Sequence, residues 1–142
     1  MKRTLRQGGF TLLEIMLVVA IIALLVGGAV VMVGPAMKQA KTTRVETDIA
    51  TLKTDLLMYQ SYSGSYPTTE QGLSALRARP TSEPQPVRWS KVLDDLPLDP
   101  WNQAYHYECP GTHNTDGYDL YSTGTPGSGQ EGIIGNWNKT SS

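Results

Sequence analysis

The sequence holds few of the side chains that cross-link small domains or bind metals in them. Among 142 residues it has one cysteine, Cys109, and two histidines, His106 and His113. A lone cysteine excludes an intramolecular disulfide and a zinc site made from cysteines. We expect Cys109 to be a half-buried strand residue, with pairing between chains as the alternative, and both histidines to be strand or turn residues.

The sequence also lacks an excess of charge of either sign and a recognisable catalytic motif. Lysine and arginine total 12 against 13 aspartates and glutamates, so no basic surface favours a nucleic-acid partner. No glycine-rich phosphate loop follows a strand, and Ser122 has no nucleophile elbow around it. A catalytic cysteine and histidine must face each other. His106 and Cys109 are three residues apart on a predicted strand, where alternation would place them on opposite faces. We therefore predict a protein that is not an enzyme and does not bind nucleic acid.

Apolar residues are concentrated in one segment. Residues 10–37 contain 22 apolar side chains in 28 positions, whereas residues 38–142 contain 32 in 105. Residues 15–37 are 23 consecutive uncharged positions. As a helix they would reach ~34 Å and cross a hydrocarbon core of about 30 Å. The sequence predicts a transmembrane and assembly helix over residues 10–37, followed by a globular domain over residues 38–142 with a thin core.

Residues 1–9 form a short basic leader. They contain no acid and three basic residues, Lys2, Arg3 and Arg6. This charge places the N-terminus in the cytoplasm by the positive-inside rule. A secretory signal has its small-residue cleavage site after the apolar run, but here Gly8-Gly9 precedes the run. Cleavage after this pair would therefore remove the leader and keep the apolar segment as an anchor.

Glu14 is the one charge inside the apolar segment. A carboxylate at that depth costs a few kcal/mol unless it is paired or protonated. One alternative is that Glu14 reaches back to the membrane interface. The other is that it pairs with a free α-amine at Phe10, created by cleavage after Gly9. An amine and a carboxylate from neighbouring helices would then neutralise each other and set a parallel, staggered assembly.

A known processing motif matches this region. Residues 8–15 run Gly-Gly-Phe-Thr-Leu-Leu-Glu-Ile. With the basic leader before them, they resemble the class III leader and cleavage motif of type IV pilins and pseudopilins. The resemblance implies that a prepilin peptidase cuts between Gly9 and Phe10 and methylates the new Phe10 amine. It also implies that Phe10 and Glu14 set the register of assembly.

A second helical segment follows the apolar one. Between residues 44 and 61, apolar positions step by four, three, four and three, which is the stripe of an amphipathic helix facing a small domain. These positions are Val45, Ile49, Leu52, Leu56 and Tyr59. The two segments together predict one helix of about 52 residues. Gly27-Gly28 and Gly34-Pro35 lie within it as breakers, and they indicate either a kink or a stretch that melts or extends when subunits pack into a filament.

Short local signals predict the next part of the domain. Thr68 and Gln71 form a capping box that opens a short helix, whose buried side is Leu73 and Leu76. Prolines then mark a loop-rich connection over residues 79–98. Three acids that flank prolines are expected to be caps or to lie on a solvated loop edge: Asp94, Asp95 and Asp99.

Strand patterns appear only near the C-terminus. Three segments predict half-buried strands: residues 105–109, 118–122 and 133–137. Asp116-Gly117 supplies a turn between the first two, residues 123–132 form a glycine-rich loop, and Trp137 anchors the last strand. A long helix followed by a small antiparallel sheet and a loop-rich C-terminal region is an α+β fold.

These segments resemble the major pseudopilins of type II secretion systems, the protein G family. The matching stretches run in the family's order and cover nearly the whole chain: residues 58–59, 64–73, 96–101, 119–122 and 135–137. The resemblance implies a pilin-like fold, in which a long N-terminal helix packs on a small antiparallel sheet. It also implies a structural subunit of the pseudopilus, a periplasmic helical fibre that helps drive folded exoproteins through an outer-membrane secretin.

The resemblance further implies a location and partners. The chain would be a single-pass protein of the bacterial inner membrane, with a cytoplasmic N-terminus and a periplasmic domain, until it enters the pseudopilus. Its partners would be other copies of itself, minor pseudopilins, the prepilin peptidase and the inner-membrane assembly platform. Two alternatives stay open: a type IV pilin, although the cysteine pair common in those pilins is absent, and a membrane-anchored periplasmic binding module.

Three features depart from the family pattern. Asn102 stands where the family usually has glycine, and asparagine tolerates the positive φ that such a turn requires. Pro35 lies about one helical turn after the family's usual proline. In the last loop, where the family binds calcium through aspartates, Thr125 replaces an expected aspartate and Glu131 is the one carboxylate. Calcium takes about six to eight oxygens, so we predict no calcium site, with Glu131 as a weak candidate ligand.

Overall fold

The computed structural model describes residues 9–137, without the side chains of residues 28–33 and of Glu131. Within that range the chain forms the helix α1 (Leu12–Ser63) and three short strands, β1 (His106–Glu108), β2 (Asp119–Ser122) and β3 (Ile134–Gly135). Two 3-10 helices accompany them, Leu73–Leu76 and Gly129–Gly132. The chain divides into two compact units, one up to Gln39 and one from Ala40 onward. Apart from Gly9, the predicted leader lies outside the described residues.

The helix α1 begins directly after Thr11, whose side chain caps it. The backbone N–H of Glu14 donates to the Thr11 hydroxyl at 3.3 Å and to the Thr11 carbonyl at 3.1 Å. The helix then continues through Pro35 to Ser63, a length of 52 residues. The prediction of one helix is therefore confirmed, and the glycine and proline breakers do not end it. Melting of the segment around Pro35 on assembly stays a prediction.

The apolar N-terminal part of α1 carries the predicted membrane span. In the part of the chain that the structure describes, no helix has the length and apolarity that a membrane crossing requires. The predicted span, residues 10–37, includes the side chains of residues 28–33, which lie outside the described set. The span therefore stays a prediction.

The predicted apolar stripe of α1 forms the centre of the core in the second unit. All five stripe residues are at most 5% exposed: Val45, Ile49, Leu52, Leu56 and Tyr59. They share one cluster with buried residues from the first 3-10 helix and from the strand region: Leu73, Ala75, Leu76, Tyr105, Tyr107, Tyr118 and Leu120. Burial of one such side chain contributes about 1.5–3 kcal/mol. The stripe prediction is confirmed, and this helix face holds the small domain together.

The sheet is antiparallel, with its strands in the order β1, β2, β3. Tyr107 pairs with Leu120 across β1 and β2, and both side chains belong to the core. The predicted strands are confirmed in position but are shorter than expected. The half-buried alternation is wrong for β2, where three of the four residues are buried because the strand is central in the sheet. The last strand ends at Gly135 because Asn136 turns the chain, and its N–H donates to the Leu120 carbonyl at 2.9 Å. The α+β prediction is confirmed.

The predicted capping box is present after α1. The Thr68 N–H donates to Gln71 Oε1 and the Gln71 N–H donates to Thr68 Oγ1, both at 3.2 Å. The buried Gln71 amide also donates to the carbonyls of Ser82 and Pro84, both at 3.0 Å. One side chain therefore caps the turn that precedes the 3-10 helix and fastens the proline-rich loop to it.

The core and surface faces of α1 allow a matched test. Leu56→Ala should lower the free energy of unfolding by about 2–5 kcal/mol, because it leaves a cavity under a side chain that is 0% exposed. The neighbouring Leu57→Ala, at a position that is 58% exposed, should change it by no more than about 0.5 kcal/mol. Urea unfolding of the full chain in detergent, followed by tryptophan fluorescence, measures both. Equal effects of the two substitutions would contradict the assigned core face.

Candidate functional site

Gly9 and Phe10, the predicted processing residues, lie in exposed chain before α1. Phe10 is 79% exposed, and no described residue other than its chain neighbours lies within 4 Å of the position that a Cβ would take at Gly9. The described residues therefore do not cover the peptide bond between them. Cleavage and methylation at this bond stay predictions.

The first turns of α1 present a continuous apolar surface. Thirteen large apolar side chains between residues 10 and 26 are about half to four-fifths exposed: Phe10, Leu12, Leu13, Ile15, Met16, Leu17, Val18, Val19, Ile21, Ile22, Leu24, Leu25 and Val26. We refer to this set as the N-terminal apolar surface. Contiguous apolar surface of this kind marks a site that binds lipid or another protein.

Glu14 lies in the first turn of α1, within the N-terminal apolar surface. The spacing of Thr11 and Glu14 is that of a capping box, and the structure shows the half of it in which the Thr11 hydroxyl accepts the Glu14 N–H. A carboxylate here also interacts favourably with the positive end of the helix dipole. Glu14 therefore stabilises the helix start, in addition to its predicted role in assembly. The Thr-x-x-Glu spacing is the signal in the sequence that predicts this cap.

Cys109 and His106, which do not form a predicted catalytic pair, lie at the end of β1 and on it. Cys109 is half-buried as predicted, but it follows β1, because its N–H donates to Thr69 Oγ1 at 2.9 Å. His106 lies on β1 and stacks on Tyr121, with 5.0 Å between the ring centres.

Asp99 is the organising residue of the turn before β1. It is 3% exposed. Its Oδ1 accepts the N–H groups of Trp101 at 3.0 Å and Gln103 at 2.8 Å, and its Oδ2 accepts the Ser122 hydroxyl at 2.6 Å. Asn102 has a φ of 64°, which confirms that asparagine supports the positive φ of this turn.

The three predicted loop acids divide into two kinds. Asp94 and Asp95 lie on the solvated edge as predicted, paired with Lys91 at 2.6 Å and Arg77 at 3.5 Å. The solvated-edge alternative is wrong for Asp99, which is a buried cap. The local pattern around Asp99 does not show its burial, because its partner Ser122 lies 23 residues away on β2.

Asp119 is a second buried carboxylate, at the start of β2, and it is 1% exposed. Its Oδ2 accepts the His113 N–H at 2.7 Å and lies 2.9 Å from His113 Nδ1. Its Oδ1 accepts the N–H of Asn114 at 3.0 Å and the side-chain amide of Asn114 at 2.9 Å. Burial alone would raise the pKa of Asp119, but these hydrogen bonds outweigh burial and lower it.

The Asp119 network extends to the C-terminal turn. The His113 ring stacks on Trp137, with 3.9 Å between ring centres and 4° between planes. Asn136 Oδ1 accepts the Asn114 side-chain amide at 3.2 Å and the Leu120 N–H at 3.1 Å. The network therefore joins the turn after β1 to the residues after β3. The sequence assigned no role to Asp119, and its polar position between two core residues, Tyr118 and Leu120, was the one local signal.

The glycine-rich loop after β2 is closed by contacts between its own ends. Gly124 has a φ of 70°, and a Cβ there would overlap the Gly132 carbonyl. Among the described residues, no three histidine, cysteine, aspartate or glutamate side chains are grouped to hold a metal. The side chain of the weak calcium candidate, Glu131, lies outside the described set, so the calcium prediction stays a prediction.

The Asp119 network predicts a stability effect that depends on pH. Asp119→Asn should lower the free energy of unfolding by about 1–3 kcal/mol at neutral pH, because an amide cannot accept all of these hydrogen bonds. A carboxylate with a lowered folded pKa contributes stability above its unfolded pKa of about 3.9, and this contribution is lost as the pH falls through the folded pKa. The difference between wild type and variant should therefore shrink in acid. Urea unfolding over a pH series measures it.

A matched control for this prediction lies in the same turn. Asp116 is exposed, and Asp116→Asn removes the same charge without touching the network. It should leave the free energy of unfolding within about 0.5 kcal/mol of wild type. A destabilisation by Asp119→Asn that stays constant from neutral pH into acid would contradict the role assigned to the ionised carboxylate.

Comparison with known proteins identifies the family. A model of the type II secretion system (T2SS), protein G, matches residues 32–137, and a model of the prokaryotic N-terminal methylation motif matches residues 4–30. The chain is 44% identical over 138 residues to type II secretion system core protein G of Pseudomonas aeruginosa, covering 93% of this chain and 96% of the relative. It is 41% identical over 143 residues to the Vibrio cholerae protein of the same description, covering 97% of each.

A solved structure gives the same result. The fold is similar to the crystal structure of the major pseudopilin from the type 2 secretion system of enterohaemorrhagic Escherichia coli, with a TM-score of 0.67 and 35% identity. The match covers 74% of this chain and 93% of that one. The resemblance found in the sequence is thus confirmed, and the chain belongs to the protein G family of type II secretion systems.

Proposed function

We propose that this chain is a structural subunit of a type II secretion pseudopilus, a helical periplasmic fibre that helps drive folded exoproteins through an outer-membrane secretin. Family membership supports this role, since the similar proteins are named as core protein G and as a major pseudopilin. The observation that carries the proposal is the N-terminal apolar surface, which is about half to four-fifths exposed in the part of the chain that the structure describes. A role in assembly explains that surface, and no catalytic role is proposed.

Polymerisation would bury the N-terminal apolar surface. In a helical fibre the apolar helices of neighbouring subunits cover one another, and this burial supplies most of the cohesion. Before assembly, the lipid of the inner membrane would cover the same surface. In that state the chain would be a single-pass protein, with the basic leader in the cytoplasm and residues 38–142 in the periplasm.

Processing would prepare the helix for assembly. The match of residues 4–30 to the methylation motif and the exposure of Gly9 and Phe10 support cleavage between these residues by a prepilin peptidase, with methylation of Phe10. The new amine would carry a positive charge, and Glu14 of a neighbouring subunit would neutralise it in the apolar interior of the fibre. Further along the same helix, Pro35 removes one helix hydrogen bond and marks the segment that would melt or extend on packing.

Other partners and alternatives follow from the family. The subunit would meet minor pseudopilins and the inner-membrane assembly platform during growth of the fibre. A type IV pilin would share the N-terminal motif, but the protein G match over residues 32–137 favours the pseudopilus. A membrane-anchored binding module would need neither leader cleavage nor Glu14.

Intact mass spectrometry tests the processing step. Protein isolated from membranes that contain the native peptidase should lack residues 1–9 and carry one additional methyl group. A variant with Gly9→Val should retain the leader, because a branched side chain next to the scissile bond would obstruct the peptidase. An uncut wild-type chain would remove the free amine from the proposal and favour the anchored module.

Substitution of Glu14 tests the assembly step. Glu14→Gln keeps a residue that suits a capping box but removes the charge. It should reduce the yield of fibres at least about tenfold, because each contact between Glu14 and a neighbouring Phe10 amine would lose about 1.4 kcal/mol of binding free energy. Membrane insertion and cleavage should remain normal. Sedimentation and electron microscopy of the assembled fibres measure the yield.

Two control variants separate charge from helix capping. Thr11→Ala removes the cap on the Glu14 N–H and keeps the carboxylate, so fibres should form. Glu70→Gln removes an exposed charge outside α1 and should also leave fibres intact. Wild-type yields from Glu14→Gln would contradict the pairing with Phe10.

A further inference from the structure

The loop between β2 and β3, residues 123–133, is the place where family resemblance implies calcium. Its donor set does not fit that ion. Calcium takes about six to eight oxygens and usually several carboxylates, whereas the loop contains a single acid, Glu131. Its remaining side-chain oxygens come from hydroxyls and one amide, on Thr123, Thr125, Ser128 and Gln130.

At the start of the loop, a buried carboxylate controls the backbone through a hydroxyl. Ser122 is 0% exposed, and its hydroxyl donates to Asp99 Oδ2 at 2.6 Å. Because this proton points to Asp99, the Ser122 oxygen is free to accept the Gly124 N–H at 3.0 Å. We refer to this chain of hydrogen bonds as the Asp99 relay. It holds the first turn of the loop to the buried turn before β1.

A second link connects the same two segments. The Thr123 hydroxyl donates to Gln103 Oε1 at 2.9 Å, and the Gln103 N–H donates to Asp99 Oδ1 at 2.8 Å. The start of the loop is therefore tied to the residue 99–103 turn through two neighbouring side chains.

In the middle of the loop, Ser128 takes the central position. Its hydroxyl donates to the Thr125 carbonyl at 2.6 Å, and its N–H donates to the same carbonyl at 3.0 Å. A Cβ at Gly132 would overlap the Ser128 hydroxyl oxygen, so this oxygen packs directly on the far end of the loop. Ser128 thus joins the outgoing and returning halves of the loop.

We propose that the Asp99 relay and Ser128 hold this loop closed without a metal, so that the fold of this protein G chain is independent of calcium. In the relay, the buried Asp99 carboxylate accepts N–H and O–H donors and fixes the start of the loop. Ser128 makes the contact across the loop. This inference concerns folding of the chain and does not rest on assembly of the pseudopilus.

Thermal unfolding of the full chain in detergent tests calcium independence. A ligand that binds only the folded state raises the unfolding midpoint by mass action. Midpoints measured by circular dichroism in excess EGTA and in millimolar CaCl2 should agree within about 1 °C, since no binding energy is added. The rate at which proteinase K cleaves the loop should also be equal in the two buffers. A higher midpoint or slower cleavage in calcium would overturn the proposal.

Two serine variants test the side-chain hydrogen bonds that hold the loop closed. Ser122→Ala breaks the relay and should lower the midpoint by about 4–8 °C in both buffers. Ser128→Ala removes an exposed hydroxyl within the loop and should speed cleavage of the loop about fivefold, again in both buffers. If Ser122→Ala fails to fold, the result for Ser128→Ala still decides whether side chains close the loop.

A matched control completes the design. Ser90 is exposed and lies outside the loop, and Ser90→Ala should match wild type in midpoint and in cleavage rate. Wild-type values for both Ser122→Ala and Ser128→Ala would overturn the assignment of these residues. Rescue of either variant by calcium alone would do the same, because it would show that the loop holds the ion.

Discussion

Burial of apolar surface along α1 is the interaction on which the rest of the structure depends. From Ala40 onward, the stripe between Val45 and Tyr59 is covered by residues of the 3-10 helix and the strand region, and this contact organises a domain that has few other apolar residues. Between residues 10 and 26, Phe10 and the start of the same helix carry thirteen large apolar side chains that are exposed in the described part of the chain. One helix thus supplies the folded domain with its core and, in the proposed role, would supply the pseudopilus subunit with its contact surface.

In the turns around the sheet, which contain few apolar residues, two buried carboxylates fix the structure. Asp99 and Asp119 are almost fully buried, and several donors satisfy each of them. A buried charge is stable only when hydrogen bonds replace its water, so each carboxylate requires the surrounding turns to adopt one arrangement. Ser122 extends this control from Asp99 to the start of the last loop, because its oxygen accepts the Gly124 N–H.

The proposed assembly role concentrates on residues that take little part in the folded core. Phe10 precedes α1, and the Glu14 carboxylate lies in the exposed first turn, where it suits both the helix dipole and a neighbouring amine. In this proposed role the first unit would exchange lipid for neighbouring helices, while the core from Ala40 onward would keep its own contacts. This division allows a subunit to be folded before it is polymerised.

The sequence by itself determined the helix, the Val45 to Tyr59 stripe, the Thr68–Gln71 capping box and the family motif, because each is a local pattern of spacing. It also predicted where the strands lie, but not where they end. The end of β3, for example, depends on the hydrogen bond from Asn136 to Leu120, which the alternation of residues in the strands does not indicate. Only the tertiary structure decided that Asp99 and Asp119 are buried. The partners that compensate their charge include a hydroxyl 23 residues along the chain and a turn held against the C-terminal residues, and such pairings leave no periodic trace in the sequence.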